Sequence, residues 1–196
     1  MKTFVLASKN PNKAKEIEAI LGSGFKVITQ SEAGFGDIDV VEDGTTFEEN
    51  AIKKAETIFK ITKLPTIADD SGLCVDFLNG APGIYSARYA GENATDADRV
   101  KKLLDAMKDA PDEKRSAKFV CSIALVLPDA ETVTFTGECL GKITLSPFGS
   151  NGFGYDPIFM PQGFDKTLAE LPFETKNHLS HRFLALSELS QYLKEL

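Results

Sequence analysis

Asp69 and Asp70 stand side by side after the apolar run Thr66-Ile67-Ala68, and the hydroxyl of Ser71 and then Gly72 follow at once. Carboxylates carried by a strand-like segment are equipped to hold a hard cation or to take a proton from water. Successive strand side chains face opposite ways, so one acid is expected to face a site and the other to be structural; a shared-proton dyad is not expected. Another acid, Glu42, lies in Glu42-Asp43-Gly44 just before a helix start. A carboxylate there suits the helix dipole, and it joins the chemistry only if a second acid reaches it.

Ser8-Lys9-Asn10-Pro11-Asn12-Lys13 turns from a strand pattern into a helix, with Asn10 suited to the N-cap and Pro11 to the first helical position. Unpaired backbone N–H groups and the positive end of the dipole make such a turn a ready anion site, and Lys13 adds a full charge. The same pattern also describes an ordinary strand-to-helix turn with a solvated lysine. Farther on, Gly149-Ser150-Asn151-Gly152-Phe153-Gly154-Tyr155-Asp156-Pro157 joins glycines that permit close backbone approach to two rings on which a flat ligand could stack. Alone, that stretch reads more readily as a plain glycine loop. His178 and His181 lack the helical spacing of a zinc protease, and no metal-binding pair is expected there. Residues 137–144 resemble a phosphate-binding loop but have one residue too few between the glycines, no hydroxyl directly after Lys142 and no following helix. A β-turn between strands is expected there instead.

These residues need elements to position them. Residues 3–7 and 26–29 read as strands, and Ala14, Ile17, Ile20 and Leu21 keep helical spacing between them. A polar loop over 31–44 leads to a helix with a capping box at Thr46 and Glu49 and an apolar stripe of Ala51, Ile52, Ala55, Ile58 and Phe59. The strand over 64–68 is expected to end at the two aspartates, with hairpin and loop over 73–91. Thr95 caps a helix with Val100, Leu103, Leu104 and Met107 inward; β-rich runs over 118–127 and 132–139 and a strand at 158–160 follow. Ser180 is expected to cap a C-terminal helix carrying Leu186, Leu189 and Leu193. The pattern is α/β with a mixed sheet, and residues 1–196 suit a single domain.

With 42% hydrophobic and 26% charged residues, the composition is that of an ordinary globular protein. A net charge of −7 without a long basic block argues against sequence-independent nucleic-acid binding and leaves a small phosphorylated ligand open. Cys74, Cys121 and Cys139 are odd in number and widely spaced, which favours reduced thiols and a cytoplasmic location. The N-terminal apolar run is shorter than a signal-peptide core, and no stretch approaches a membrane span.

Taken in order, Ser8-Lys9-Asn10 with Lys13, residues 42–51, Ala68-Asp69-Asp70-Ser71-Gly72-Leu73, Gly80-Ala81-Pro82-Gly83-Ile84-Tyr85-Ser86-Ala87-Arg88-Tyr89, Phe153-Gly154-Tyr155-Asp156-Pro157 and Ser180-His181-Arg182 resemble the inosine triphosphate pyrophosphatase family along essentially the whole chain. The resemblance implies an elongated two-lobed α/β fold, with a long mixed sheet flanked by helices and the active site between the lobes, an architecture shared with Maf-like enzymes. It implies a homodimer that cleaves purine nucleoside triphosphates with deaminated bases, ITP, dITP and XTP, to the monophosphate and pyrophosphate, with Mg²⁺. By the same resemblance Asp70 matches the proton acceptor, and Glu42 and Asp70 match the magnesium-binding acids. Ser8, Lys9, Asn10, Pro11, Asn12, Lys13, Lys54 and Ser71 match substrate contacts, mostly to phosphate. Phe153, Gly154, Tyr155, Asp156, Lys176, His181 and Arg182 match the base and sugar side. Ser8-Lys9 stands where Thr-Gly is common, and Tyr155 where some members carry Trp; neither change removes an indispensable group. A 6-oxo purine accepts a hydrogen bond where adenine donates, so Arg182 near that edge would reject ATP, with Lys176 a candidate for reading C2. The rivals are a Maf-like pyrophosphatase of different base preference and a nucleotide sensor without turnover.

Overall fold

The computed structural model describes residues 2–196. Its strands are β1 (Lys2–Leu6), β2 (Phe25–Thr29), β3 (Thr66–Val75), β4 (Ser116–Val126), β5 (Val133–Ile143) and β6 (Phe159–Pro161). The α-helices are α1 (Pro11–Leu21), α2 (Phe47–Thr62), α3 (Asp96–Ala106), α4 (Phe173–Leu179) and α5 (His181–Glu195). The sheet order is β2-β1-β3-β4-β5-β6, with β1 parallel to both β2 and β3 and β5 antiparallel to β6, so the α/β class with a mixed sheet is as expected.

The chain divides into two compact units, the first ending at Asp70 and resuming over Cys121–Gly137 and Arg182–Leu196, the second comprising Ser71–Val120 and Glu138–His181. In the first unit strand alternation sorts two cores. Phe4, Leu6, Ile67, Ile123 and Leu125 pack with Ala14, Ile17 and Leu21 of α1 and with Ala185, Leu186, Leu189 and Leu193 of α5. Val5, Ala7, Ala68, Ala124 and Val126 pack with Ala51, Ala55 and Ile58 of α2. Both strand faces are therefore covered, as parallel strands require. Each fully buried Leu or Ile contributes about 1.5–3 kcal/mol to holding these layers.

The second unit has its own core, in which Leu73 and Val75 of β3 meet Val100, Leu103 and Met107 of α3, Phe119 of β4, Ile143 of β5 and Phe159 of β6. Arg115 is buried at its edge with no carboxylate partner among the described residues; its guanidinium donates to the carbonyls of Ile143 and Thr144, each at 2.8 Å, and to those of Met107 and Ala110.

Three expectations are corrected. The strand does not stop at Asp69-Asp70 but runs on to Val75, because Leu73 and Val75 are fully buried and that burial outweighs the weak strand preference of Asp, Ser and Gly. The turn expected over 137–144 is instead the second half of β5, where Gly141 lets β6 approach: a Cβ there would lie 2.3 Å from the Met160 carbonyl oxygen. Residues 173–179 add a short helix, and Ser180, its C-cap, also stands directly before α5, where the cap of the C-terminal helix was expected. The capping box of α2 is shifted, since Thr46 Oγ1 accepts from the Glu49 amide while the Glu49 carboxylate accepts from the amide and hydroxyl of Thr45.

Candidate active site

In the first unit, alternation along β3 decides the partners of the two aspartates. Asp69 follows Ile67 onto the face covered by α1 and α5, and both helices meet it with a cation from their first turn. Lys13 Nζ donates to both Asp69 oxygens at 2.9 Å, and Arg182 Nη2 approaches Oδ2 at 3.3 Å. Asp70 follows Ala68 onto the face covered by α2. There Asn50 Nδ2 donates to Oδ2 at 3.1 Å, and Lys54 Nζ lies 3.6 Å from Oδ1. The two acids serve different neighbourhoods, as the strand period requires.

Lys54 also stands 3.3 Å from Glu42 Oε1, so the two acids that resemblance assigned to a metal converge on one ammonium. The link from loop to strand is completed by Asn50, whose Oδ1 accepts from the Gly44 amide at 2.8 Å while its Nδ2 serves Asp70. A Cβ on Gly44 would lie 2.7 Å from that oxygen, which is why the position is glycine. Asn50 was missed as a functional residue. Its signal was a buried polar side chain one turn before Lys54, on a helix whose buried positions are otherwise apolar.

The two carboxyl groups are tuned oppositely. Burial raises the pKa of Asp69, but the charges of Lys13, Arg182 and Lys54 outweigh it and hold the group well below the usual carboxylate range. Burial raises Asp70 above its ordinary value; Lys54 and the Asn50 hydrogen bond oppose the rise, and the negative charges of Glu42 and Asp69 add to it. A carboxylate with a raised pKa is a better proton acceptor than an ordinary surface aspartate.

The turn before α1 differs from expectation in one respect. Asn10 Oδ1 accepts from the amides of Asn12, at 2.9 Å, and Lys13, at 3.4 Å, and Pro11 has no N–H. The first helical backbone donors are thus already satisfied by the cap, and the positive charge of the turn rests on side chains. Ser8 Oγ accepts from the Asn10 amide, and Lys9 pairs with Asp39 at 2.7 Å.

In the second unit, the glycine-aromatic loop is folded around Asp156, which is 5% exposed. Asp156 Oδ2 accepts from the Phe153 amide at 2.9 Å and from Lys176 Nζ at 2.6 Å, and Lys176 lies 5.0 Å from the centre of the Phe153 ring. Gly154 donates its amide to Asp96 Oδ2 at 2.7 Å, tying the loop to the first turn of α3. Of the two rings, Phe153 is 67% exposed and presents a face, whereas Tyr155 is buried in the core and its hydroxyl donates to the Ser86 carbonyl. Beside the loop, a pocket of about 500 Å³ is lined by Val100, Leu104, Pro147, Gly154 and Pro157 among others. His181 stacks on Phe119 with ring centres 5.0 Å apart, and Ser71 lies half-buried on β3.

The donor set tests the expected metal. Among the described residues no group of three or more His, Cys, Asp or Glu side chains gathers as a cage. Two convergent carboxylates fit a hard divalent cation that keeps several waters and takes the rest of its shell from phosphate oxygens, the habit of Mg²⁺.

A match to the Ham1 family spans residues 4–192. The dITP/XTP pyrophosphatase of Halalkalibacterium halodurans is 51% identical over 98% of this chain and 100% of its own. That of Vibrio cholerae is 52% identical over 100% of this chain and 98% of its own. The solved structure of the Staphylococcus aureus Ham1 protein superposes with a TM-score of 0.93 at 46% identity, covering 99% of each chain.

Proposed function

The chain belongs to the Ham1 family, and we propose that it is a nucleoside-triphosphate pyrophosphatase that hydrolyses ITP, dITP and XTP to the monophosphate and pyrophosphate. Relatives named for dITP and XTP match it along essentially their whole length. The observation that carries the mechanism is the Asp70 environment: a carboxylate with a raised pKa, oriented by Asn50 and flanked by Lys54 and Glu42.

Asp70 takes a proton from the water that attacks the α-phosphorus. As the new P–O bond forms, the bond to the bridging oxygen breaks and pyrophosphate leaves. Lys13 and Lys54 offset the negative charge of the triphosphate, in a protein whose own net charge is −7. Ser8, Lys9, Asn10, Pro11, Asn12 and Ser71 complete the phosphate side of the reading. Glu42 and Asp70 would hold Mg²⁺, which supplies Lewis-acid charge neutralisation when bound.

Phe153 is an exposed ring against which a purine would stack, and Lys176, held over that ring by Asp156, is the candidate donor for the C2 side of the base. Adenine presents a donor at C6 where hypoxanthine and xanthine present an acceptor, so an Arg182 donor at that edge favours the deaminated bases over adenine. Gly154, Tyr155 and Asp156 shape the loop that carries Phe153, and His181 and Arg182 complete the base and sugar side. We assign the working form as a homodimer in the cytoplasm. No helix among the described residues is long and apolar enough to cross a membrane.

Pyrophosphate release from ITP, dITP, XTP, GTP and ATP, with and without Mg²⁺, tests the reading. Turnover of ITP, dITP and XTP well above that of GTP and ATP, and only with Mg²⁺, is expected. Equal turnover of GTP and ITP would overturn the base selectivity, and absence of pyrophosphate release from every substrate would overturn the activity.

A further inference from the structure

We infer that Asp69 is a positioning residue that aims Lys13 and Arg182 at the ligand, a role separate from that of its neighbour Asp70; the inference rests on the substrate reading given above. The Asp69 side chain is 2% exposed, and both its oxygens are taken up by cations. Those cations come from two different helices, α1 and α5, that pack on the same sheet face.

An ammonium has three N–H donors. Lys13 spends two contacts on the two oxygens of Asp69, each at 2.9 Å, while its side chain remains 30% exposed. The remaining donor therefore has a direction set by the carboxylate. An exposed lysine without such an anchor samples many rotamers, and anchoring it in advance lowers the entropic cost of using it.

Arg182 is held in the same way. Nη2 meets Asp69 at 3.3 Å and Nη1 meets Glu16 at 3.4 Å, while the buried Nε has no hydrogen-bond partner among the described residues. Glu16 lies one turn after Lys13 on α1, so Lys13, Asp69, Arg182 and Glu16 form a chain of alternating charge with no net charge. A carboxylate whose only task was to secure the fold would not need to collect the two cations assigned to ligand contact. Lys54 acts on Asp69 through its charge alone, whereas Asn50 bonds Asp70, because strand alternation turns Asp69 away from Asn50 and α2.

The test is a double-mutant cycle read by calorimetric binding of inorganic triphosphate and by dITP kinetics, using the wild type, Asp69→Asn, Lys13→Met and the double variant. Asp69→Asn is expected to weaken triphosphate binding and raise KM for dITP by about tenfold or more, with a much smaller change in kcat. In the Lys13→Met background the same substitution should have a clearly smaller effect, because the part that runs through that lysine is already lost and only the part through Arg182 remains. Independent, multiplying effects, or a fall in kcat at unchanged KM, would overturn the inference. If Asp69→Asn does not accumulate as folded protein, Asp69→Glu carries the test. It keeps the charge but displaces it by one methylene; a raised KM at a normal melting temperature supports the role, and a wild-type KM overturns it. Inorganic triphosphate has no base and needs no turnover. Failure of the wild type to hydrolyse dITP would therefore strike the proposed activity, while the coupling of Asp69 to Lys13 would still be read from binding.

Discussion

The hydroxyl of Tyr155 donates to the carbonyl oxygen of Ser86 at 2.9 Å, across 69 residues of sequence. Ser86 is itself buried, its Oγ accepting from the Leu73 amide and donating to the Gly83 carbonyl. Tyr155 is thus part of the frame that carries the loop, and Phe153 is the ring the loop presents. Tyr155→Phe is expected to cost about 1–2 kcal/mol of stability by leaving a buried carbonyl unpaired. Phe153→Ala should leave the melting temperature nearly unchanged and raise KM for dITP by about tenfold. Thermal melts beside steady-state kinetics check both, and the reverse pattern would exchange the two roles.

Asp70→Asn keeps the shape of the side chain and removes its capacity to take a proton. Turnover of dITP is expected to fall by about a hundredfold or more, with binding of the nucleotide still measurable. Single-turnover rates and calorimetry on the same preparation check this, and turnover within a few fold of wild type would remove Asp70 from the role of proton acceptor.

Asn50→Ala withdraws the acceptor of the Gly44 amide and the donor to Asp70 at once. The residue is 1% exposed, so neither group is readily replaced by water. A loss of about 1–3 kcal/mol in denaturant unfolding is expected, together with lower turnover, because the Glu42 loop loses its tie to β3. Full activity in a destabilised variant would show that the tie is purely structural.

Gly152 has a φ of +82°, and a Cβ there would lie 2.2 Å from Asp156 Oδ2 and 2.6 Å from Lys176 Nζ. The carboxylate is buried and held by the Phe153 amide, so it has little room to retreat. Gly152→Ala is expected to cost about 1–3 kcal/mol and to raise KM by loosening the Lys176–Asp156 pair. An unchanged KM would separate that pair from substrate binding.

Asp96 lies below its usual value of 3.8, first through the Gly154 amide and then through Arg99. A carboxyl group whose folded pKa is depressed contributes stability that is complete above about pH 3.8 and is lost as pH falls through the folded value. Asp96→Asn should therefore melt lower than wild type at neutral pH, with the gap narrowing on acidification below pH 4. A gap constant with pH would show that ionisation of Asp96 does not support the loop.

Much of the fold was legible from local rules. Asn10 caps α1 with Pro11 at its first position, Thr95 and Asp98 form the capping box of α3, and the apolar stripes of α1, α2 and α3 are the buried faces. The errors fell where a distant partner overruled a local signal. The polar centre of β3 and the glycines of β5 read as strand ends, yet burial of Leu73 and Val75 and the close approach of β6 at Gly141 keep both strands going. Phe153 and Tyr155 look equivalent in a linear chain, because nothing local to the loop announces that Ser86 will claim one of them.

The order of motifs along the chain was enough to indicate the family, and strand period alone predicted that Asp69 and Asp70 would part company, since alternation is a property of the extended backbone itself. Which helix stood over each acid was decided only in three dimensions. Asp69 met Lys13 and Arg182, 56 and 113 residues away, and Asp70 met Asn50 and Lys54. The opposite tuning of the two carboxyl groups follows from those neighbours and their burial, because the free energy of a charge depends on the charges and solvent around it and not on its place in the sequence.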